Sequence, residues 1–235
     1  IFLFAFGLRI WFLKDLALTF GYDQARDALV SQQILKGDWK ILGPPASTPG
    51  LYHGVFYYYL LAPAYLFGHG SPLAAAYWIA LLNAATVFIV YALGYFMTKK
   101  KAVGFVAAIL FAVSFEATQY ATWLSNPTTS VWSVPLFYLG LWLWTSEKKY
   151  YGCILAAIGL GLSIQSEIFL VYHTIPLVIW LWVARKSITK KQLLVFGFSF
   201  LLAIGTMLWA EFKFGFKSLA GIKALAVGAE ANLAY

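Results

Sequence analysis

The segment formed by residues 55–67, VFYYYLLAPAYLF, decides how the rest of the chain is arranged around a membrane. It has only about 13 residues and is interrupted by Pro63. A helix needs about 20 apolar residues to cross a bilayer, and a shorter apolar segment is more often interfacial or re-entrant. Its length therefore favours a helix that lies in the interface, and the run Tyr57 to Tyr59 is typical of interface anchoring.

The composition around this segment is that of a polytopic membrane protein. Hydrophobic residues make up 62% of the chain and charged residues 11%, and the mean hydropathy is +0.75. A soluble domain has about 25% charged residues. The net charge of +8 does not predict nucleic acid as a partner, because the basic residues lie in short clusters between apolar runs, where they determine membrane topology.

The apolar runs predict an all-α bundle of about seven membrane helices. Residues 1–18 form the outer part of the first helix, in which Arg9 and Lys14 can snorkel to the interface. The later runs are 72–97, 102–120, 129–145, 150–166, 168–184 and 192–212. Basic clusters at 99–101, 148–149 and 185–191 separate them.

The positive-inside rule places all three basic clusters in the cytoplasm. If residues 55–67 lie in the interface, the loop that contains Asp23 is on the opposite, outer side. If they cross the membrane, Asp23 shares the side of the clusters. The short length favours the first arrangement, which predicts a protein of a prokaryotic cytoplasmic membrane with its polar outer loops in one place.

The whole chain, 1–235, is predicted to be one transmembrane module. Ile1 is not a methionine and few residues precede Arg9, so we expect a fragment of a longer protein, truncated at both ends; a cleaved signal peptide is the other interpretation. Residues 19–70 form the first outer loop. Residues 213–235 begin a later one, with a helix near the headgroups. The one cysteine, Cys153, lies in an apolar run and indicates no disulfide or metal site.

Residues 22–27, YDQARD, bring charge to the outer loop. Asp23 and Asp27 share a helix face and Arg26 is one turn from Asp23. A solvated interfacial helix explains this pattern as well as a site does, and Asp23 is also suited to be a helix N-cap. A helix is predicted from Asp23 to Leu35. The periodicity of this amphipathic helix places one set of residues on its predicted face: Ala25, Ala28, Leu29, Gln32 and Leu35.

Other polar residues gather at the same side of the membrane. Asn126 and Pro127 are expected to cap and begin the helix that follows Trp123. Glu116 and Gln119 lie near the outer end of the preceding apolar run. Gln165 and Glu167 join two later helices. Carboxylates, amides and aromatic rings are therefore predicted to meet at the outer face.

The order of three short motifs resembles the lipid-linked-sugar glycosyltransferases of the GT-C superfamily. The motifs are Asp23-Gln24-Ala25, the stretch from His53 to Leu61 followed by Leu66-Phe67-Gly68, and Trp-x-x-Asn-Pro at residues 123–127. The nearest branch is family 39, which includes protein O-mannosyltransferases and aminoarabinose transferases. In that family the loop after the first helix folds into two juxtamembrane helices, which agrees with an interfacial segment at 55–67.

The resemblance implies transfer of a sugar from a polyprenyl-phosphate donor to a glycan, lipid or protein acceptor, with inversion. Asp23 matches the acidic residue that acts as base or orients the acceptor, and Asp27 is the candidate for a second carboxylate. The chain has Tyr52-His53 where some relatives have an acidic-basic pair. Candidates for binding the donor phosphate are Arg26, His53, Lys213 and Lys217. Residues expected to line the cavity are Tyr22, Tyr52, Glu116, Gln119, Trp123, Asn126, Gln165 and Glu167.

Two further functional classes stay open from the sequence. A transporter or flippase would place carboxylates and broken helices near the bilayer midplane, whereas the acids here lie in outer loops. A non-catalytic assembly subunit would tolerate replacement of Asp23. No cluster has the spacing of a dedicated metal site, although Asp23 and Asp27 together suit a hard divalent cation.

Overall fold

The computed structural model describes residues 1–13, 18–48 and 50–227, without the side chains of residues 222 and 224–227. Within these ranges all regular structure is helical, which confirms the all-α prediction. Two 3-10 turns, Asn126–Thr129 and Ile168–His173, lie between α-helices. The α-helices are α1 (Phe2–Trp11), α2 (Tyr22–Leu35), α3 (Phe56–Phe67), α4 (Pro72–Thr98), α5 (Lys101–Ala112), α6 (Phe115–Thr122), α7 (Ser130–Thr145), α8 (Tyr151–Ser166), α9 (Thr174–Val183), α10 (Lys190–Ala203), α11 (Gly205–Lys213) and α12 (Lys217–Val227).

One helix, α4, is long and apolar enough by itself to cross a membrane. The pairs α5–α6 and α10–α11 bring the number to three if each pair is one span, but they bend by 52° and 59°. Helices α1 and α8 and the segment Ile168–Val183 are shorter apolar helices. The chain thus has at least one helix that can span a membrane, and the count of seven stays a prediction.

Helices α7 and α8 form an antiparallel pair whose backbones touch through glycines. A Cβ atom on Gly140 would lie 2.2 Å from the backbone nitrogen of Ala156, and one on Gly159 would lie 2.4 Å from that of Phe137. Small residues allow such close approach between helices in membranes. The pair is joined to α4 where the Trp142 indole N–H donates to the Phe96 carbonyl at 3.2 Å.

The core has two distinct ends. At one end Lys99 pairs with Glu147, and the Lys191 ammonium lies 6.0 Å from the centre of the Tyr150 ring. These contacts bring the three basic clusters to one end of the α4–α7–α8 core. At the opposite end, the Asn126 side chain donates to the Ser166 carbonyl.

Helix α3 begins and ends at the end opposite the basic clusters. Just before it, the Gly54 N–H donates to the Gln165 carbonyl, near the end of α8, at 2.7 Å. Just after it, Gly68 approaches Ala74 in the first turn of α4. Both ends of α3 therefore lie at one end of the core, as the interfacial interpretation of residues 55–67 requires.

Arg9 does not snorkel. Its residue is fully buried, and its guanidinium donates to the Asn83 side-chain oxygen at 2.7 Å and to the Ala112 carbonyl at 3.1 Å. The prediction was wrong because α5 ends at Ala112, and the last carbonyls of a helix lack partners within it. Arg9 supplies those partners at the α5–α6 bend. Lys14 lies outside the described residues.

The predicted face of α2 was also wrong. Of the predicted residues only Ala28 is buried, whereas Ala25, Leu29 and Leu35 are exposed. The other buried residues of α2 are Gln24, Asp27, Ser31 and Ile34. Polar side chains are buried here because they find partners: the Ser31 hydroxyl donates to the Asp27 carbonyl at 2.7 Å. The spacing of apolar residues cannot identify a buried helix face that also contains polar side chains.

Candidate functional site

The first turns of α2 assemble a carboxylate, a guanidinium and a second carboxylate. Arg26 Nη1 lies 2.7 Å from Asp23 Oδ1, and Nη2 lies 2.7 Å from Asp27 Oδ1. Asp23 is not the N-cap, since Gly21 takes that position and its N–H donates to the Gln24 side chain at 2.9 Å. The spacing of the three charged residues therefore gives a charge cluster, as the shared helix face predicted.

The two carboxylates are in different environments. The side chain of Asp23 is 64% exposed and that of Asp27 is 2% exposed. Asp27 Oδ2 has no hydrogen-bond partner among the described residues. Burial raises the pKa of Asp27 to about 6, although Arg26 opposes the rise. Of the two, Asp23 is the one that a substrate can reach from outside.

Tyrosines of α3 surround the buried carboxylate. Tyr57 and Tyr58 are almost fully buried, so the run at 57–59 is not simply an interface anchor. Burial and the Asp27 charge raise the pKa of Tyr58, and they raise that of Tyr65 to about 12. These phenols are neutral at physiological pH and can donate hydrogen bonds.

His53 connects the cluster to the end of α8. Its Nδ1 accepts the Ile168 N–H at 3.3 Å and lies 3.7 Å from Glu167 Oε1. Burial lowers the pKa of His53, and the Arg26 charge lowers it further, against the effect of Glu167. A neutral ring whose Nδ1 is an acceptor carries its proton on Nε2. His53 therefore offers an N–H donor rather than a cation.

An apolar cavity of about 410 Å³ opens beside His53. Tyr52 and His53 form part of its wall, with Ile164 and Ile168 from the α8 end and Met207 from α11. Glu211 is also in the wall, and its Oε2 is buried with no hydrogen-bond partner among the described residues. Sequence reasoning missed Glu211, although an acid inside the apolar run 192–212 was a usable signal.

The side-chain amides of Gln165 and Asn126, both predicted to line the cavity, instead hold neighbouring segments together. Gln165 is buried and accepts the Phe56 N–H at 3.2 Å, and it donates to the Ala203 carbonyl. Asn126 is buried and is not a cap: its side chain bonds to Ser166, and Ser125 precedes the 3-10 turn as its cap residue. Asn126 was mispredicted because its amide joins two helices instead of capping one.

The remaining predicted residues are spread over the same end of the core. Glu116, Gln119 and Trp123 are exposed at α6, away from the cavity wall. Tyr22 is exposed beside Asp23. Lys213 is exposed at the end of α11, with its ammonium 5.7 Å from the centre of the Phe214 ring. Lys217 begins α12 between cavity residues Phe216 and Ser218.

Comparisons with known proteins identify no similar family, protein or structure. No family model matches the chain, and neither a curated protein nor a solved structure matches it. Among the described residues no three histidine, cysteine or acidic side chains group in a way that could hold a metal ion.

Proposed function

We propose that the chain is a glycosyltransferase that moves a sugar from a polyprenyl-phosphate donor to an acceptor on the outer face of a prokaryotic cytoplasmic membrane. The observation that supports this most is the charged cluster on α2 next to an apolar cavity, with His53 between them. A substrate with a charged head and a long apolar tail fits both parts. The motif order of the GT-C superfamily, family 39, supports the same assignment.

The proposal includes seven membrane crossings. Helix α1 approaches α4 where Phe2 and Phe88 rings are 5.4 Å apart. Helix α7 packs along α4, and α8 packs on the other side against α7 and α10. Helix α9 then returns to the basic end before α10. In this arrangement α2 and α3 lie in the outer interface and present Asp23 to the headgroups.

The apolar cavity would hold part of the isoprenoid chain and direct the donor phosphate toward His53 and Arg26. A guanidinium has five N–H donors, and Arg26 uses three of them on the carboxylates. Of the two donors that remain, one lies beside the Tyr58 hydroxyl, and in this proposal both donate to phosphate oxygens; His53 adds its Nε2 proton. In the α11–α12 segment, Lys213 and Lys217 are the cations closest in sequence to residues of the cavity wall.

The transfer step needs a base on the acceptor side. The Asp23 carboxylate takes the proton from an acceptor hydroxyl, whose oxygen forms a bond to the anomeric carbon while the bond from that carbon to the phosphate oxygen breaks. The phosphate leaves with the electron pair, and Arg26 and His53 stabilise its charge. Asp27 is buried and holds Arg26 in place, so we assign it a positioning role.

The test is sugar transfer by the full chain in liposomes, with a panel of polyprenyl-phosphate sugars, comparing wild type with Asp23→Asn. This change keeps the side-chain size and removes the charge. Loss of a general base costs about a hundredfold or more, so we expect kcat to fall by at least that factor. Asp38→Asn, another acid of the outer loop, is the matched control and should transfer normally.

Equal transfer by wild type and Asp23→Asn would remove Asp23 from the mechanism. Absence of transfer with every donor, together with movement of the lipid-linked donor between leaflets, would favour the flippase alternative. An amphiphile-binding cavity suits either class, and only bond formation distinguishes them.

A further inference from the structure

A second cleft lies at the same end of the core, on α6. Thr19, Gln119, Tyr120, Thr122 and Trp123 line it, and its volume is about 410 Å³. The Tyr120 and Trp123 rings lie 5.7 Å apart and are tilted by 57° to each other. Unlike the apolar cavity, this α6 cleft presents aromatic faces together with an amide and hydroxyls.

We propose that the α6 cleft binds a neutral saccharide, which is the glycan part of the acceptor. This assignment rests on the proposed function for its role as acceptor, but the binding itself does not. A sugar ring has an apolar face of C–H groups, which stacks on an aromatic ring, and a rim of hydroxyls that pair with amides and hydroxyls. The cleft offers both kinds of surface.

The lining of the cleft favours a neutral ligand. None of the described residues that line it is charged. Phosphate headgroups and nucleic acids are bound mainly through Lys and Arg, and hard cations mainly through carboxylates. The nearest charge on the same helix face is Glu116, one turn before Tyr120 and exposed. A carboxylate at that position can accept hydrogen bonds from sugar hydroxyls.

The polar groups of the cleft are only partly used by the protein. The Thr122 hydroxyl donates to the Gln119 carbonyl at 2.9 Å, and the Gln119 side-chain amide takes no part in that bond. Tyr120 is 37% exposed and Trp123 is 38% exposed. Half-exposed rings of this kind supply area for a ligand without requiring the fold to open.

The cleft is also close to the proposed base. Thr19 forms an isolated parallel bridge with Trp123, so the wall of the cleft is the segment that leads into α2. Asp23 is four positions after Thr19, a distance of at most about 14 Å along an extended chain. A saccharide bound in the cleft can therefore extend toward the Asp23 carboxylate.

The experiment measures binding separately from transfer. Short neutral oligosaccharides of mannose, glucose and N-acetylglucosamine are titrated against the full chain in lipid nanodiscs, with phosphorylated mannose oligosaccharides as anionic probes. We expect one neutral series to bind, and its Kd to rise about tenfold or more in Tyr120→Leu and Trp123→Leu. Gln119→Ala, which changes only an exposed side chain, should weaken binding without affecting the fold.

Phe115→Leu is the matched control, because Phe115 is a 73% exposed aromatic residue on the same helix and outside the cleft. Its Kd should stay within about twofold of wild type. The thermal unfolding midpoint of every variant identifies any that fail to fold. Failure of every neutral probe to bind, or equal binding by all variants, would overturn the proposal, as would preferential binding of the anionic probes that is independent of the rings.

Transfer kinetics separate this proposal from the previous one. Tyr120→Leu should raise the KM for a glycan acceptor with little change in kcat, whereas Asp23→Asn should lower kcat and leave saccharide binding intact. Ring-dependent binding without any transfer would support the α6 cleft and reject the glycosyltransferase. Transfer without any saccharide binding in the cleft would support the glycosyltransferase and reject the saccharide site in the α6 cleft.

Discussion

Asp23 and Asp27 are one helical turn apart and bind the same arginine, yet their chemical environments have little in common. Sequence spacing predicts that they share a face and meet Arg26. It does not predict that α3 covers Asp27 and leaves Asp23 in solvent, because burial depends on which helix packs on α2. His53 is a similar case: its position was predicted, but its neutral state follows from burial and from the Ile168 N–H.

The raised pKa of Asp27 gives a prediction for stability against pH. The folded pKa is about 6 and the reference value is 3.8. Below about pH 4 the carboxyl is protonated in both the folded and the unfolded chain. Between pH 4 and pH 6 it ionises in the unfolded chain but stays protonated in the folded one, so the free energy of unfolding falls as the pH rises. The loss reaches about 3 kcal/mol. Asp27→Asn cannot ionise, and its stability relative to wild type should increase from pH 4 to pH 6.

The measurement is the thermal unfolding midpoint of the full chain in detergent, followed in small pH steps. Asp38→Asn removes an exposed acid of the same loop and is the control for the general effect of losing a carboxylate. If the curve of Asp27→Asn runs parallel to that of wild type from pH 4 to pH 6, Asp27 titrates at its ordinary pKa and is not desolvated.

At the scale of helices, contact between α7 and α8 depends on glycine. Because a Cβ on Gly140 or Gly159 would meet backbone atoms, neither helix can yield by moving a flexible side chain. Gly140→Ala should lower the free energy of unfolding by about 3 kcal/mol. Gly197→Ala in α10 is the comparison, since a Cβ there meets nothing within 4 Å, and it should be neutral or stabilise by about 0.5–1 kcal/mol.

Thermal unfolding of the two variants in the same detergent checks this prediction. Equal stability of Gly140→Ala and Gly197→Ala would mean that the backbones of α7 and α8 are not in contact at Gly140.

The helices themselves were largely predictable. The ends of α4, α7 and α8 fall within about two residues of the apolar runs, a normal uncertainty for helix boundaries. The bends in the runs 102–120 and 192–212 were not predictable. At the first of them, the Ser114 hydroxyl accepts the Ala117 N–H at 3.3 Å and Arg9 binds the carbonyls before it. The second bend lies at Ile204, directly before Gly205, and an isolated glycine inside an apolar run does not by itself predict a bend.

For the whole molecule, the separation of the basic end from the Asp23 end predicts a topology. In a Cys153→Ala background, Asp38→Cys should react with a membrane-impermeant maleimide in intact cells. Lys100→Cys should react only after the cells are permeabilised, because basic clusters stay in the cytoplasm. Both positions are exposed in the fold, so both should react in permeabilised cells.

The reverse labelling pattern would place Asp23 in the cytoplasm and reject a donor site on the outer face. Labelling of both positions in intact cells would show that the preparation is leaky and requires a repeat in sealed, oriented vesicles, where the same comparison decides the topology.

The buried Arg9 has a consequence for how the protein enters the membrane. An arginine costs about 2.5–3.5 kcal/mol to insert from the translocon at the centre of an isolated helix, and this value is an upper bound for Arg9, which lies in the last turn of α1. The acceptors that compensate it, Asn83 and the Ala112 carbonyl, are synthesised 74 and 103 residues later. We therefore expect the first helix to remain near the translocon, or at the lipid surface, until α4 and α5 emerge. Biogenesis of this protein would then depend on helices that assemble before they partition into lipid.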